Sequence, residues 1–241
     1  MQKETLLQLK NVSVQYGSVH ALQNASVQID EGEVVALMGP NGAGKSTVLK
    51  ALFGVTPLAS GEVLWHEKEI TPRAYEMVAR GVTYVPQGRQ VFKSLTVYEN
   101  LELGGYALAN KKDLKNNIDE VLKFFPALKD KLQTKAGFLS GGQQQMLTIA
   151  RGLVSDPKVL LLDEPSLGLS PKIVKEVFEK IKEINELRKI AVVIVEHSIK
   201  SALAVAQRAY VLSQGRVVLE KSAQELVVGN ALKHVFLASA S

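Results

Sequence analysis

Three stretches of the chain are apolar without a break: Val34–Met38, Val159–Leu162 and Ile190–Val195. Each has the length of a strand. An apolar run of that length suits a central strand covered on both faces, as in a parallel sheet. Ala25, Val27 and Ile29 instead alternate with polar neighbours, which predicts a half-solvated strand. Ala209–Leu212 and Val217–Leu219 are further strand candidates. Between the apolar runs the period changes. Val48, Leu49, Leu52 and Phe53 follow helical spacing, and Ile173, Val174, Val177, Phe178, Ile181 and Ile184 do so over a longer stretch. Strands alternating with helices predict an α/β core with helices packed on a largely parallel sheet.

The middle of the chain reads differently. From about 88 to 155 strand signals are few. Leu114, Ile118, Val121, Leu122 and Phe125 form one helical stripe, and Met146, Ile149, Ala150 and Leu153 form another. The expected organisation is a core of about 1–87 and 156–241 carrying an inserted helical subdomain of about 88–155. After the last strand candidates only a short helical tail is expected. No internal repeat or low-complexity tract interrupts this pattern.

Composition narrows the chemistry. With 46% hydrophobic and 22% charged residues in 241, the chain is neither disordered nor fibrous. It has no Cys, which removes disulfides, a thiolate nucleophile and Cys-based zinc sites. The four His residues do not form a His-x-x-x-His pair, so a metalloprotease is excluded as well. No apolar run approaches the roughly 20 residues that span a bilayer. The start, Met1–Thr5, lacks the apolar segment of a signal peptide, so a cytoplasmic protein is expected. The excess of 29 basic over 24 acidic residues reads as solubilising surface charge, with no nucleic-acid partner implied.

Gly39-Pro40-Asn41-Gly42-Ala43-Gly44-Lys45-Ser46-Thr47 follows the first apolar run and opens a helix pattern. It matches G-x-x-x-x-G-K-[ST] in the strand–loop–helix context that motif needs. Glycines let backbone N–H groups turn inward at a helix N-terminus, making a nest for phosphates. Lys45 would reach the β- and γ-phosphates, Ser46 would offer its hydroxyl to Mg²⁺, and Thr47 could serve the α-phosphate. The run Val159–Leu162 ends in Asp163-Glu164. Asp163 would then stand at the carboxyl edge of the sheet as a metal-facing carboxylate, and Glu164 beside the γ-phosphate as a base for the attacking water. Alone, such an acidic strand end is a weak signal; beside the phosphate loop it is a strong one. Ser140-Gly141-Gly142-Gln143 offers a second anion-facing helix start, with Ser140 as N-cap.

Together these residues resemble the ATP-binding subunit of ABC transporters, over nearly the whole chain. The resemblance implies a P-loop NTPase (RecA-like) fold with an antiparallel β edge and an inserted helical subdomain. It implies ATP hydrolysis with Mg²⁺. Residue by residue, it places Tyr16 on the adenine and Asn41, Gly42, Ala43, Gly44, Lys45, Ser46 and Thr47 on the nucleotide. Ser46, Gln87 and Asp163 fall at the metal. Glu164, His197 and Gln87 take the catalytic positions, His197 as the switch that contacts the γ-phosphate. Tyr16 also has a plain reading as a strand-end tyrosine of the core. Ser140, Gly141, Gly142 and Gln143 match the family's signature, which acts on the nucleotide of a second chain.

The segments Asp163–Pro171 and Gln87–Phe92 are similar to the shorter ATPase of branched-chain amino acid importers. Urea-type importers share these features, and an exporter ATPase is the further alternative. Ser170 stands where many members have Asp, and His197 where this subfamily often has Gln. The partners implied are a second ATPase chain, identical or related, two membrane permeases and, indirectly, an extracytoplasmic binding protein. That puts the chain at the inner face of the cell membrane. Phe92 is either an anchor for the permeases or part of the subdomain core.

Overall fold

The computed structural model describes residues 4–108 and 112–228. The chain opens with β1 (Thr5–Tyr16), β2 (Val19–Asp30) and β3 (Val34–Met38), then α1 (Lys45–Phe53). Next come β4 (Ser60–Trp65), β5 (Lys68–Ile70), α2 (Ala74–Ala79) and β6 (Val82–Val85). Helices then dominate: α3 (Val97–Gly104), α4 (Asp113–Phe124), α5 (Pro126–Lys129) and α6 (Gly141–Leu153). The chain returns through β7 (Val159–Asp163), α7 (Pro171–Arg188), β8 (Ala191–Val195) and α8 (Ile199–Leu203). β9 (Arg208–Ser213), β10 (Arg216–Ser222) and α9 (Ala223–Val228) complete it. The helical tail expected after the last strands begins with α9; its remainder, like Met1–Lys3, lies outside the described residues.

Six strands form the main sheet in the order β10-β9-β3-β8-β7-β6, parallel except for β10 at its edge. The antiparallel part extends beyond an edge strand, because β2-β1-β4-β5 form a separate sheet. The continuous apolar runs have a direct cause. In β7 and β8, Leu160, Leu162, Val192 and Ile194 face a core shared with α4, α6 and α7. The alternate residues Val159, Leu161, Val193 and Val195 face α1 and the antiparallel sheet. Both faces are covered, so neither face tolerates a polar residue; each buried aliphatic contributes about 1.5–3 kcal/mol. Ile190 sits just before β8 and is not part of it.

Parallel pairing brings the strand ends to one edge. Asp163 pairs with Val195, Leu37 also pairs with Val195, and Val85 pairs with Leu162. The residues that follow β3, β6, β7 and β8 therefore emerge side by side. At the start of α6, Ser140 and Gln143 form a capping box, so this helix begins where the sequence places it. Ser170 lies just before α7, with Pro171 as the first helical residue.

Candidate active site

The loop after β3 is shaped by its glycines. Gly44 caps α1 at φ 98°, and a side chain there would come within 2.5 Å of the Ala21 carbonyl oxygen. α1 has no side-chain cap and no acidic residue in its first turn. Its positive end is left for an anion. Lys45 is 5% exposed, and Nζ donates to the carbonyls of Gly39 and Pro40, both at 2.9 Å. Burial lowers its pKa from the ordinary lysine value, while Glu164, Asp163 and Glu196 act in the opposite direction.

Asp163, the last residue of β7, is 4% exposed. Its Oδ1 accepts from the Ser46 hydroxyl at 2.8 Å and its Oδ2 from the Tyr84 hydroxyl at 2.9 Å. Burial, and then the charge of Asp163, push the Tyr84 phenol well above its usual pKa, so it remains a donor. Glu164 follows at φ 49°, a conformation that costs a non-glycine residue of order 1 kcal/mol or more. Its backbone N–H is held by the Val195 carbonyl at 2.9 Å. Its carboxylate is gripped from two sides. Gln87 Nε2 donates to Oε2 at 2.7 Å, and His197 Nε2 lies 2.7 Å from Oε1.

These groups face one cavity of about 540 Å³, lined by Asn41–Thr47, Gln87, Glu164 and His197, with Val19, His20 and Ala21 of β2 opposite. A buried lysine and an uncapped helix N-terminus share it with a carboxylate held from two sides. Such a cavity can bind a polyphosphate and deprotonate water beside it.

Residues 22–167 match the ABC transporter family model. The chain belongs to the ABC transporter family of ATPases. It is 42% identical over 233 residues to the "High-affinity branched-chain amino acid transport ATP-binding protein BraG" of Pseudomonas aeruginosa. That match covers 96% of this chain and 99% of the relative. It is 38% identical to the "Probable branched-chain amino acid transport ATP-binding protein LivF" of Archaeoglobus fulgidus, covering 92% and 94%. Among solved structures, it superposes with a TM-score of 0.79 on a dimeric ATP-binding cassette in a post-hydrolysis state, bound to ADP and Pi. Their identity is 30%, over 90% of this chain and 99% of that one.

In this ABC ATPase, the predicted residues Asn41–Thr47, Gln87, Glu164 and His197 share one cavity, with Asp163 bonded beneath it. Tyr16 is 45% exposed at the end of β1; it pairs with Val19, which lines that cavity. Ser140, Gly142 and Gln143 do not join them. They line a different cavity, with Phe124, Met146, Ile173 and others, that shares no residue with the first. Phe92 is 51% exposed on a groove of about 640 Å³ between β6, α3 and α6, together with Tyr75, Leu103, Tyr106 and Arg151. It is not part of the buried core.

Sequence reasoning missed Tyr84. It sits in the short strand Val82–Val85, and no local pattern ties it to Asp163, 79 residues further on. Sequence reasoning also missed the β2 wall of the cavity, which no local pattern marks.

Proposed function

We propose that this ABC ATPase powers import through separate membrane permeases, with branched-chain amino acids as the cargo. Its working form in this reading is a head-to-tail pair of cassettes, with a second copy or a related chain. The observation that carries the catalytic part is the Glu164 carboxylate held between Gln87 and His197 above the Lys45 loop.

The phosphates of ATP lie on the Gly42–Thr47 backbone and Lys45, and Tyr16 supports the adenine. Water beside Glu164 gives up a proton to the carboxylate while its oxygen bonds the γ-phosphorus. The bond from that phosphorus to the bridging oxygen breaks, and ADP leaves with the electron pair. Gln87 and His197 keep the carboxylate aimed, and His197 also faces the γ-phosphate. Ser46, Asp163 and the Gln87 amide are hard oxygen donors at the right edge of the sheet, a set that fits Mg²⁺. When bound, Mg²⁺ neutralises charge on the phosphate oxygens.

The separation of the signature cavity from the phosphate cavity supports action in trans: Ser140, Gly141, Gly142 and Gln143 of one chain close on the γ-phosphate held by the other. That a similar cassette is dimeric with ADP and Pi bound supports a working pair. ATP then joins the halves, and its hydrolysis weakens the joint, a two-state switch biased by ligand. The apolar groove at Phe92 is the permease docking surface. It lies where the core (about 1–87 and 156–241) meets the helical subdomain (about 88–155). Among the described residues no helix is long and apolar enough to cross a membrane. The chain works at the inner face of the cell membrane, with an extracytoplasmic binding protein delivering cargo to the permeases.

Deleting the gene for this chain in its host and measuring uptake of labelled leucine and urea tests the cargo. Leucine uptake should fall and urea uptake persist. Loss of urea uptake alone would place the chain with urea-type importers. Retention of both, with an export defect, would make it an exporter ATPase.

A further inference from the structure

The segment that follows Gln87 holds α6 at both ends. Near the C-terminus of α6, Arg151 Nη2 donates to the Gln90 carbonyl at 2.5 Å, and its guanidinium lies 5.1 Å from the centre of the Phe92 ring. At the other end, Arg89 reaches Gly141, the first residue of the helix. Its Nη1 lies 2.6 Å from where a Cβ on Gly141 would stand. Nη2 of the same guanidinium donates to the Gly168 carbonyl at 2.7 Å, and is 3.1 Å from where a Cβ on Gly168 would stand. Both neighbours are glycine, which leaves the guanidinium room to lie against them. One flat fork touches the signature helix and the loop that leaves Glu164.

Charge does not explain the position. A cation is disfavoured at the positive end of a helix, and among the described residues no carboxylate pairs with Arg89. Its place is set by shape and by the Gly168 carbonyl. The far end of the segment is equally constrained. Asn100 is fully buried; its Oδ1 accepts from the Phe92 N–H at 2.9 Å and its Nδ2 donates to the Phe92 carbonyl at 3.1 Å. Phe92 and Arg151 both line the apolar groove.

We propose that Arg89 is a positioning residue for hydrolysis. Lying between Gly141 and Gly168, it fixes the signature segment relative to the loop after Glu164. The inference rests on the reading that Ser140–Gln143 completes the site of a second chain.

The test uses the purified chain carrying Arg89→Ala or Arg89→Lys, each also combined with Glu164→Gln to halt turnover. Binding of a fluorescent ATP analogue at dilute protein should match the parent. In the Glu164→Gln background, the ATP concentration that half-dimerises the protein by light scattering should rise at least about fivefold. In the Glu164 background, kcat should fall about tenfold with KM little changed, the scale of a small misplacement at a reacting site. Lysine keeps the charge but not the fork, so it should fail as alanine does. Parent-like dimerisation and kcat in both variants would overturn the inference, and so would full rescue by lysine. A Glu164→Gln chain that stays monomeric in saturating ATP would reject the composite-site reading instead, and kcat would still decide the role of Arg89. Should Arg89→Ala fail to fold, Arg89→Lys and Arg89→Met supply the same comparison.

Discussion

Replacing Glu164 by Gln isolates proton transfer from binding, because the surroundings of this carboxylate accept an amide. Gln87 Nε2 donates to one carboxylate oxygen at 2.7 Å, and His197 Nε2 stands 2.7 Å from the other. A glutamine has one acceptor and one donor at its tip. Its oxygen can keep the Gln87 bond, and its NH₂ can donate to His197 when the imidazole is neutral at Nε2. Neither contact need be lost, so the cavity keeps its shape and the nucleotide its site. What disappears is the carboxylate that takes the proton in the proposed mechanism. General-base catalysis contributes at least about 10²-fold, or roughly 2.7 kcal/mol of barrier. The assay pairs Mg²⁺-dependent phosphate release with equilibrium ATP binding on the same preparation. Turnover should drop at least ~10²-fold while affinity stays within about threefold. Turnover within about threefold of the parent would remove Glu164 from its role, whatever the binding shows.

Tyr84→Phe should raise the Mg²⁺ concentration needed for half-maximal turnover and lower the Tm. The buried Asp163 Oδ2 loses the Tyr84 donor, at a cost of about 1–3 kcal/mol; an unchanged Tm and Mg²⁺ dependence would refute this. Burial raises the pKa of Tyr210 above the usual phenol value, so the folded chain keeps a proton that the unfolded chain releases. Stability from this group is present below pH ~10 and is lost as pH rises further, a loss that denaturation curves should show diminished in Tyr210→Phe.

Local sequence carried the parts of the site that lie within a few residues of one another. The phosphate loop and the Val159–Glu164 run were legible because strand, turn and chemistry are contiguous there. The start of α6 was legible for the same reason. Gln87 and His197 were not legible on their own. Each is a lone polar residue two positions past a strand, and only the resemblance marked them; the parallel register of β6, β7 and β8 is what brings them to either side of Glu164. Arg89 and Tyr84 were invisible for a stronger reason. Their partners, Gly168 and Asp163, lie 79 residues away in each case, and nothing nearby signals them. The antiparallel sheet was under-read because β4 and β5 are short and only partly buried, which leaves little alternation to detect.

The central claim is that one chain supplies the phosphate loop and another the signature. Mixing a Ser140→Arg chain with a Lys45→Ala chain tests it directly, because only the mixed pair has one intact composite site. Each variant alone should be inactive. An equal mixture should recover about a quarter of parent turnover, since half the pairs are mixed and each has one of two sites intact. No recovery, with association of the two chains verified in the same sample, would contradict the account.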